Sequence, residues 1–345
     1  MLAWGSNASA QLGDGSLQQR NLPVNVCAKG ATGACTVASG NVLGGVSAIG
    51  AAANSSYAVA LDGSVFVWGN NANGQLGDRS QTRRTTPVNV VCRDSDATDS
   101  AFCSSSGFLR GVTAIAAGTN SPFALLTDGT VLGWGLNLAD QIGDGTMTTR
   151  LTPVNVCAVE ATAPCTVARN NVLTGVSKIA RVSGGGFAIT TVGDTSAVVA
   201  WGGNASGQLG DGTTISRMTP VYVCAVGATA PCSVANNNYL QGVSALVGGV
   251  GATHALLSDQ SVLGWGTNGS GQLGDGTLTG HITPAQVIGL GSGSGVTAIS
   301  AGNGVVVALK SDGAVLAWGA DDLGQLGDGV TYSSSWTPAW VLSAF

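Results

Sequence analysis

Trp201-Gly-Gly-Asn-Ala-Ser-Gly-Gln-Leu-Gly-Asp-Gly, residues 201–212, followed by Thr219-Pro220-Val221, carries the most structural information in the chain. It recurs, with small changes, six times. The copies begin at Trp4, Trp68, Trp134, Trp201, Trp265 and Trp318, at spacings of 64, 66, 67, 64 and 53 residues. Self-similarity at a long, near-constant period marks an array of one supersecondary unit. The array runs from end to end, so residues 1–345 are expected to form a single repeat domain.

The unit from Gly111 to Val156 shows what is repeated. Gly-Val-Thr-Ala-Ile-Ala-Ala-Gly (111–118) alternates apolar and small residues, as a crowded inner strand requires. Residues 122–135 are two apolar runs joined by Asp128-Gly129, a strong hairpin signal. A turn-rich segment with a second Asp-Gly follows, and Thr-Pro-Val-Asn-Val (152–156) closes the unit. Pro153 cannot donate a ladder hydrogen bond, which places its strand at a sheet edge. The unit therefore predicts four short antiparallel strands, and four-stranded sheets at this period make the blades of an all-β propeller. The helical 3.6-residue pattern of an α-solenoid is absent.

The unit resembles the repeat of the regulator of chromosome condensation (RCC1) family. The shared phrase is x-Trp-Gly-x-Asn-x-x-Gly-Gln-Leu-Gly-Asp-Gly with a following Thr-Pro, cleanest at 201–220 and 265–284. The resemblance implies a β-propeller, most often of seven blades. The family includes exchange factors for small GTPases, a secreted β-lactamase inhibitor, and secreted or surface bacterial proteins, which these cysteine-bearing inserts resemble. Many family repeats carry His before the Ala-Leu of the second strand. Here that position holds Tyr57, Phe123, Phe187, His254 and Val307, so a site built on a ring of His is not expected.

The blade count is uneven. Inner strands begin at Gly45, Gly111, Gly175, Gly242 and Gly295, five times, whereas the Trp-Gly strand and the proline-bearing closing strand occur six times, the latter as Leu22-Pro23 in the first copy and Thr-Pro in the other five. Residues 1–26 are thus half a blade, in an assembly expected to hold six or seven. The missing inner strands are expected either from sequence before Met1 or from another subunit. Met1 is followed at once by repeat sequence with no visible leader, as in a mature form or a fragment. An open strand edge favours association. Met1, Leu2, Ala3 and Trp4 on that edge, with Trp336 and Trp340 outside the repeat position, are the candidate assembly residues.

All eight cysteines form local pairs: Cys27/Cys35, Cys92/Cys103, Cys157/Cys165 and Cys224/Cys232. A zinc knuckle wants Cys separated by two to four residues; these are wider, and the chain has only two His. Disulfides closing small loops fit better. They imply an oxidising compartment, and so an extracellular or cell-surface protein.

Composition narrows the function. The chain carries 54 Gly, 9% charged residues and a net charge of −5, with 13 Lys and Arg and no basic cluster beyond Arg79, Arg83 and Arg84. A nucleic-acid partner is disfavoured, because phosphate neutralisation needs a basic stripe. No apolar run approaches the ~20 residues of a membrane span. No catalytic set, cofactor motif or metal site can be assembled: His254 and His281 stand at different phases of the repeat, and Glu160 is the only Glu.

The recurring residues have bland readings. Asp14, Asp78, Asp144, Asp211, Asp275 and Asp328 recur once per unit. One carboxylate per loop is too few for calcium, so they read as turns bonding their own backbone. The sequons at Asn7, Asn54, Asn204 and Asn268 are read mainly as turn-forming Asn. The repeated Trp are read as packing between blades, and Asp321-Asp322 as a solvated turn. The resulting expectation is a non-enzymatic propeller acting as a protein-binding or adhesive module. A self-assembling filament subunit completed by strand exchange, and an inhibitor of a secreted enzyme, are the alternatives.

Overall fold

The computed structural model describes residues 1–31, 35–92, 102–182, 184–330 and 334–342. Regular structure among them is β-strand, together with a 3₁₀ turn at Val167–Arg169. The chain resolves into two compact units, Met1–Ile179 and Ala180–Phe345.

The first unit opens with β1 (Leu2–Gly5) and β2 (Arg20–Asn25), an antiparallel pair that forms a sheet by itself. Next come β3 (Val46–Ala51), β4 (Ser55–Ala60), β5 (Val65–Gly69) and β6 (Arg84–Asn89), hydrogen-bonded in that order. The following sheet is β7 (Val112–Ala116), β8 (Phe123–Leu126), β9 (Val131–Gly135) and β10 (Arg150–Asn155). The boundary between the units falls inside β11 (Val176–Val182), which begins the sheet continued by β12 (Gly185–Val192), β13 (Thr195–Gly202) and β14 (Arg217–Tyr222). The second unit adds β15 (Val243–Gly248), β16 (Ala252–Leu257), β17 (Val262–Gly266) and β18 (His281–Gln286). Its last sheet is β19 (Val296–Gly302), β20 (Val305–Lys310), β21 (Val315–Gly319) and β22 (Ser335–Trp340).

The described residues thus form five four-stranded blades and one two-stranded half blade, as the repeat count predicts. Each Thr-Pro strand is outermost in its sheet, where proline's missing N–H costs no ladder bond. The hairpin between β8 and β9 turns at Asp128-Gly129, where Gly129 takes φ +80° and Asp128 Oδ1 accepts the Thr130 N–H at 2.9 Å. The strand pairs β5/β6 and β17/β18 shift register just before the Trp-Gly glycine, a bulge that strengthens local twist.

The core lies between sheets. In the first unit Val59, Val65 and Val67 of one blade meet Val112, Leu126, Leu132 and Trp134 of the next. In the second, Phe187, Val198 and Ala200 meet Val243, Ala255, Leu263 and Trp265. The central strands are apolar on both faces: Phe123–Leu126 and Val131–Gly135 are buried throughout.

Candidate functional site

Five of the six Trp-Gly loops are closed by the same polar lock. In the first, Asn7 Oδ1 accepts the Leu12 N–H at 3.0 Å, and Asn7 Nδ2 donates to Asp14 Oδ1 at 3.1 Å and to the Ser16 carbonyl at 3.1 Å. The Ser16 N–H and hydroxyl also donate to Asp14 Oδ1, at 3.0 and 2.8 Å. Arg20 Nε donates to Asp14 Oδ2 at 2.9 Å. The pattern repeats with Asn71, Asp78 and Arg84, with Asn137, Asp144 and Arg150, and with Asn204, Asp211 and Arg217. In the fifth loop His281 replaces Arg, its Nε2 lying 2.6 Å from Asp275 Oδ2. Burial opposes ionisation of Asp14 and Asp78, but hydrogen bonds from Ser16 and Ser80 and from Arg20 and Arg84 outweigh it and hold both carboxyls below their ordinary value.

The recurrent Asp is therefore a turn residue, and it also anchors an Asn and a cation. Sequence reasoning missed the cation, although Arg20, Arg84, Arg150 and Arg217 each stand six residues after the loop Asp. Three of the four sequon residues are spent in the lock: Asn7, Asn204 and Asn268 are buried, which leaves Asn54 as the accessible sequon. In the sixth loop Asp321 is buried, contrary to its reading as a solvated turn, while Asp322 is exposed.

The repeated Trp pack between blades. Trp68, Trp134, Trp265 and Trp318 are fully buried, and each indole N–H donates to the Gln carbonyl of the preceding loop, at 2.9 Å in every case: Gln11, Gln75, Gln208 and Gln272. The loop Gly lies flat against the ring. At Gly13, which has φ +68°, a Cβ would fall 2.7 Å from Trp68 Nε1.

The position where family repeats carry His is an internal brace. Tyr57 OH donates to the Gln75 carbonyl at 3.2 Å, and His254 Nε2 lies 2.9 Å from the Gln272 carbonyl. His254 is fully buried, and burial pulls its pKa down to about 4, so the imidazole is neutral at pH 7. A cavity of about 460 Å³ beneath the third insert is lined by Thr152, Pro153, Ala163 and Pro164. Its carboxylate, Asp144, is engaged by Arg150 at 2.6 Å.

Four disulfides join Cys27–Cys35, Cys92–Cys103, Cys157–Cys165 and Cys224–Cys232. Each starts immediately or one residue after the outer-strand valine and closes the head of an insert. The returning limb then seats a leucine in the core: the N–H groups of Leu43, Leu173 and Leu240 donate to the carbonyls of Val26, Val156 and Val223 at 2.8–2.9 Å. The fifth insert has no cysteine. There Gln286 Nε2 donates to the carbonyls of Val262, Val287 and Leu290 at 2.9, 3.2 and 2.8 Å, tying the turn to the blade with hydrogen bonds instead.

The half blade is the odd member. Its strand β1 corresponds to β5, β9, β13, β17 and β21, but among the described residues no inner strand is hydrogen-bonded to it. Trp4 is 64% exposed, where its five counterparts are 0% exposed. Leu2 is 55% exposed, where Leu132, Val199, Leu263 and Leu316 are at most 6% exposed. Side chains alternate along β1. Met1 and Ala3 turn inward and pack with Val26, Leu43 and Trp68, while the Met1 ammonium donates to the Leu43 carbonyl at 2.7 Å. Leu2 and Trp4, with Leu22 of β2 at 77% exposure, form the outward apolar group. Trp336 and Trp340 lie on β22 in the other unit, 45% and 57% exposed, with the Lys310 ammonium 5.7 Å from the Trp340 ring centre.

Comparison with known proteins agrees with this geometry. Residues 62–125 and 259–309 match the family model described as the regulator of chromosome condensation (RCC1) repeat, and residues 296–325 match a second model of the same description. These segments match RCC1-type repeats, and the fold is an RCC1-like β-propeller, with five complete blades and a partial one among the described residues. The ultraviolet-B receptor UVR8 of Arabidopsis thaliana is 28% identical over 272 residues, covering 79% of this chain and 52% of the receptor, so the chain spans about half the length of that relative. Among solved structures, human WBSCR16 aligns with a TM-score of 0.70 at 17% identity, over 98% of this chain and 77% of its own. Prp20p of Saccharomyces cerevisiae, described together with its binding to Gsp1p and histones, aligns with a TM-score of 0.50 at 16% identity, over 99% of this chain and 86% of its own. No helix among the described residues is long and apolar enough to cross a membrane.

Proposed function

We propose that this chain is a non-enzymatic protein-binding module that works outside the cell or on its surface, and that the half blade Met1–Val26 is where a protein partner docks. The observation that carries the reading is the exposure of Trp4, at a position where every complete blade buries its tryptophan, together with that of Leu2, whose counterparts are buried in four blades and partly buried (Phe66) in the fifth. A strand edge supplies main-chain hydrogen bonds, and alternate side chains supply pockets or anchors, the ordinary mode of β-strand addition. Exposed aromatic anchors are also enriched among residues that dominate binding energy. The four disulfides suit an oxidising compartment, and Prp20p, on the same fold, binds proteins. The recurrent titratable residues are committed to loop locks, which leaves the repeat loops no free acid–base pair in five copies of six.

The test places a photoreactive phenylalanine analogue at Trp4 and, as a control of equal 64% exposure, at Leu138. Cross-linking in the native extracellular milieu is expected to give a discrete protein adduct from position 4 and none from position 138. Equal labelling at both positions, or none at either, overturns the reading. An adduct of twice the chain mass, with concentration-dependent mass by light scattering, selects self-assembly by strand addition. The low charge density, 9% of residues, favours that second reading by reducing repulsion between copies.

A further inference from the structure

We propose that the sixth repeat loop, Asp321–Val330, binds a calcium-class cation between Asp321 and Asp328. The loop departs from the other five at three positions, and every departure removes a donor or a positive charge from one point. The locking Asn becomes Asp321, the Ser or Thr two residues after the loop Asp becomes Val330, and the Arg or His paired with the Trp-Gly glycine across the sheet becomes Ser335. The backbone frame is nevertheless the same. Asp321 Oδ1 accepts the Leu326 N–H at 2.9 Å, as the Asn Oδ1 does in the other loops. Asp328 Oδ1 accepts the Val330 N–H at 3.1 Å, as Asp14 does from Ser16.

With Oδ1 held in that way, the second oxygen of Asp321 takes the place of the amide Nδ2. In the other loops this nitrogen donates to the Asp seven residues on and to the carbonyl nine residues on. The corresponding partners here are Asp328 and the Val330 carbonyl. Both are acceptors, and so is Asp321 Oδ2. Asp321 is 1% exposed, and its Oδ2 has no hydrogen-bond partner. Among the described residues neither Asp321 nor Asp328 has a basic partner. Ser335, at the cation's position, instead donates its hydroxyl to the Thr337 carbonyl at 2.7 Å.

A buried carboxylate aimed at a second carboxylate and a carbonyl, where five sister loops place an NH₂ group and a guanidinium or imidazole, is a set of hard oxygen donors lacking its positive charge. Hard oxygen donors suit calcium, which takes an irregular shell completed by water. Magnesium demands a near-ideal octahedron and sheds its water reluctantly, which makes calcium the better match for two carboxylates and a carbonyl. Two carboxylates predict weak affinity, with a dissociation constant on the order of 10⁻⁴–10⁻³ M, the range of extracellular calcium modules.

Titration calorimetry of the whole chain with calcium chloride tests the assignment, with Asp321→Asn as the variant. That substitution installs the residue the other loops already use, so the fold is kept and the amide lock is restored. The wild type is expected to bind one calcium, and 10 mM calcium is expected to raise its melting midpoint by roughly 2–4 °C. D321N is expected to lose both responses while melting no lower than the calcium-free wild type. Absence of saturable binding by the wild type, undiminished binding by D321N, or equal binding of magnesium would each overturn the proposal.

Discussion

The half blade Met1–Val26 and the complete blade beside it, β3 to β6, are made from the same phrase and differ in what covers them. Their loops are the same. Asn7, Asp14 and Arg20 form one lock and Asn71, Asp78 and Arg84 the other, with Arg-to-Asp contacts of 2.8 and 2.6 Å. Their tryptophans are opposites: Trp68 is 0% exposed and Trp4 64%. The loop closes on the two strands that flank it, so half a blade suffices to build it. The Trp is buried by what lies outside its own loop. Trp68 has Gly13 and the Gln11 carbonyl of the half blade against its ring. Local hydrogen bonding and interblade packing are thus separate layers of stability: the half blade packs on the blade that follows it, while its own Trp4 stays exposed.

Substitution at the two tryptophans probes that contrast most directly. Trp68→Ala should cost about 3–5 kcal/mol in chemical denaturation, through the cavity it opens and the indole bond it removes. Trp4→Ala should change stability by no more than about 0.5 kcal/mol, and an equal cost at both sites would collapse the distinction.

The inner strands absent from the half blade bring a pH dependence with them. His254 on β16 has a folded pKa of about 4, below its ordinary 6.5. The unfolded chain therefore binds the extra proton first as pH falls. Stability should drop between about pH 6.5 and 4, by about 3 kcal/mol in total, and flatten below. His254→Tyr, which copies the first complete blade, where Tyr57 bonds the Gln75 carbonyl, should abolish that slope in melts run across the same window.

Opening the Cys27–Cys35 bridge beside the half blade by Cys→Ser substitution should cost about 2–3 kcal/mol, the entropy of a loop this short. Because the bridge closes within its own insert, the Cys157–Cys165 bridge should cost the same. The smallest paired effect is expected at the locks. Asp14→Ala and Asp78→Ala should each cost about 1–3 kcal/mol by stranding the Asn amide and the Arg. Both carboxyls ionise below their ordinary value, so their contribution is complete above about pH 4 and is lost as pH falls through the lowered folded value. A much smaller cost at Asp14 would show that the half-blade loop leans on inner strands after all.

Much of the architecture is legible in the chain. Asp128-Gly129 between two apolar runs marks its hairpin because few residues besides Gly tolerate the φ required there. The Thr-Pro strands declare their edge position because proline lacks the donor a central strand needs. The cysteine pairs lie close enough in sequence to be joined locally. The Asn–Asp–Arg lock is less visible. It joins residues seven and six apart in an irregular loop, where neither strand nor helix periodicity places side chains together, and only the fixed spacing of Arg20, Arg84, Arg150 and Arg217 hints at it. Asp321 is hidden for the same reason: an acidic residue in a turn-rich segment reads as solvated until the loop's inward Asn position is known.

Strands, turns, disulfide pairs and the count of five blades and a half all follow from the order of residues alone, because each depends on neighbours in the chain. Three outcomes needed the folded molecule: which residues of β1 face outward, that Trp4 stands exposed while its five copies are buried, and that Asp321 faces inward without a hydrogen-bond partner for its second oxygen. Those outcomes depend on what packs against a surface or points into a loop. A repeat writes the same residue at every copy and cannot record which copy is left exposed.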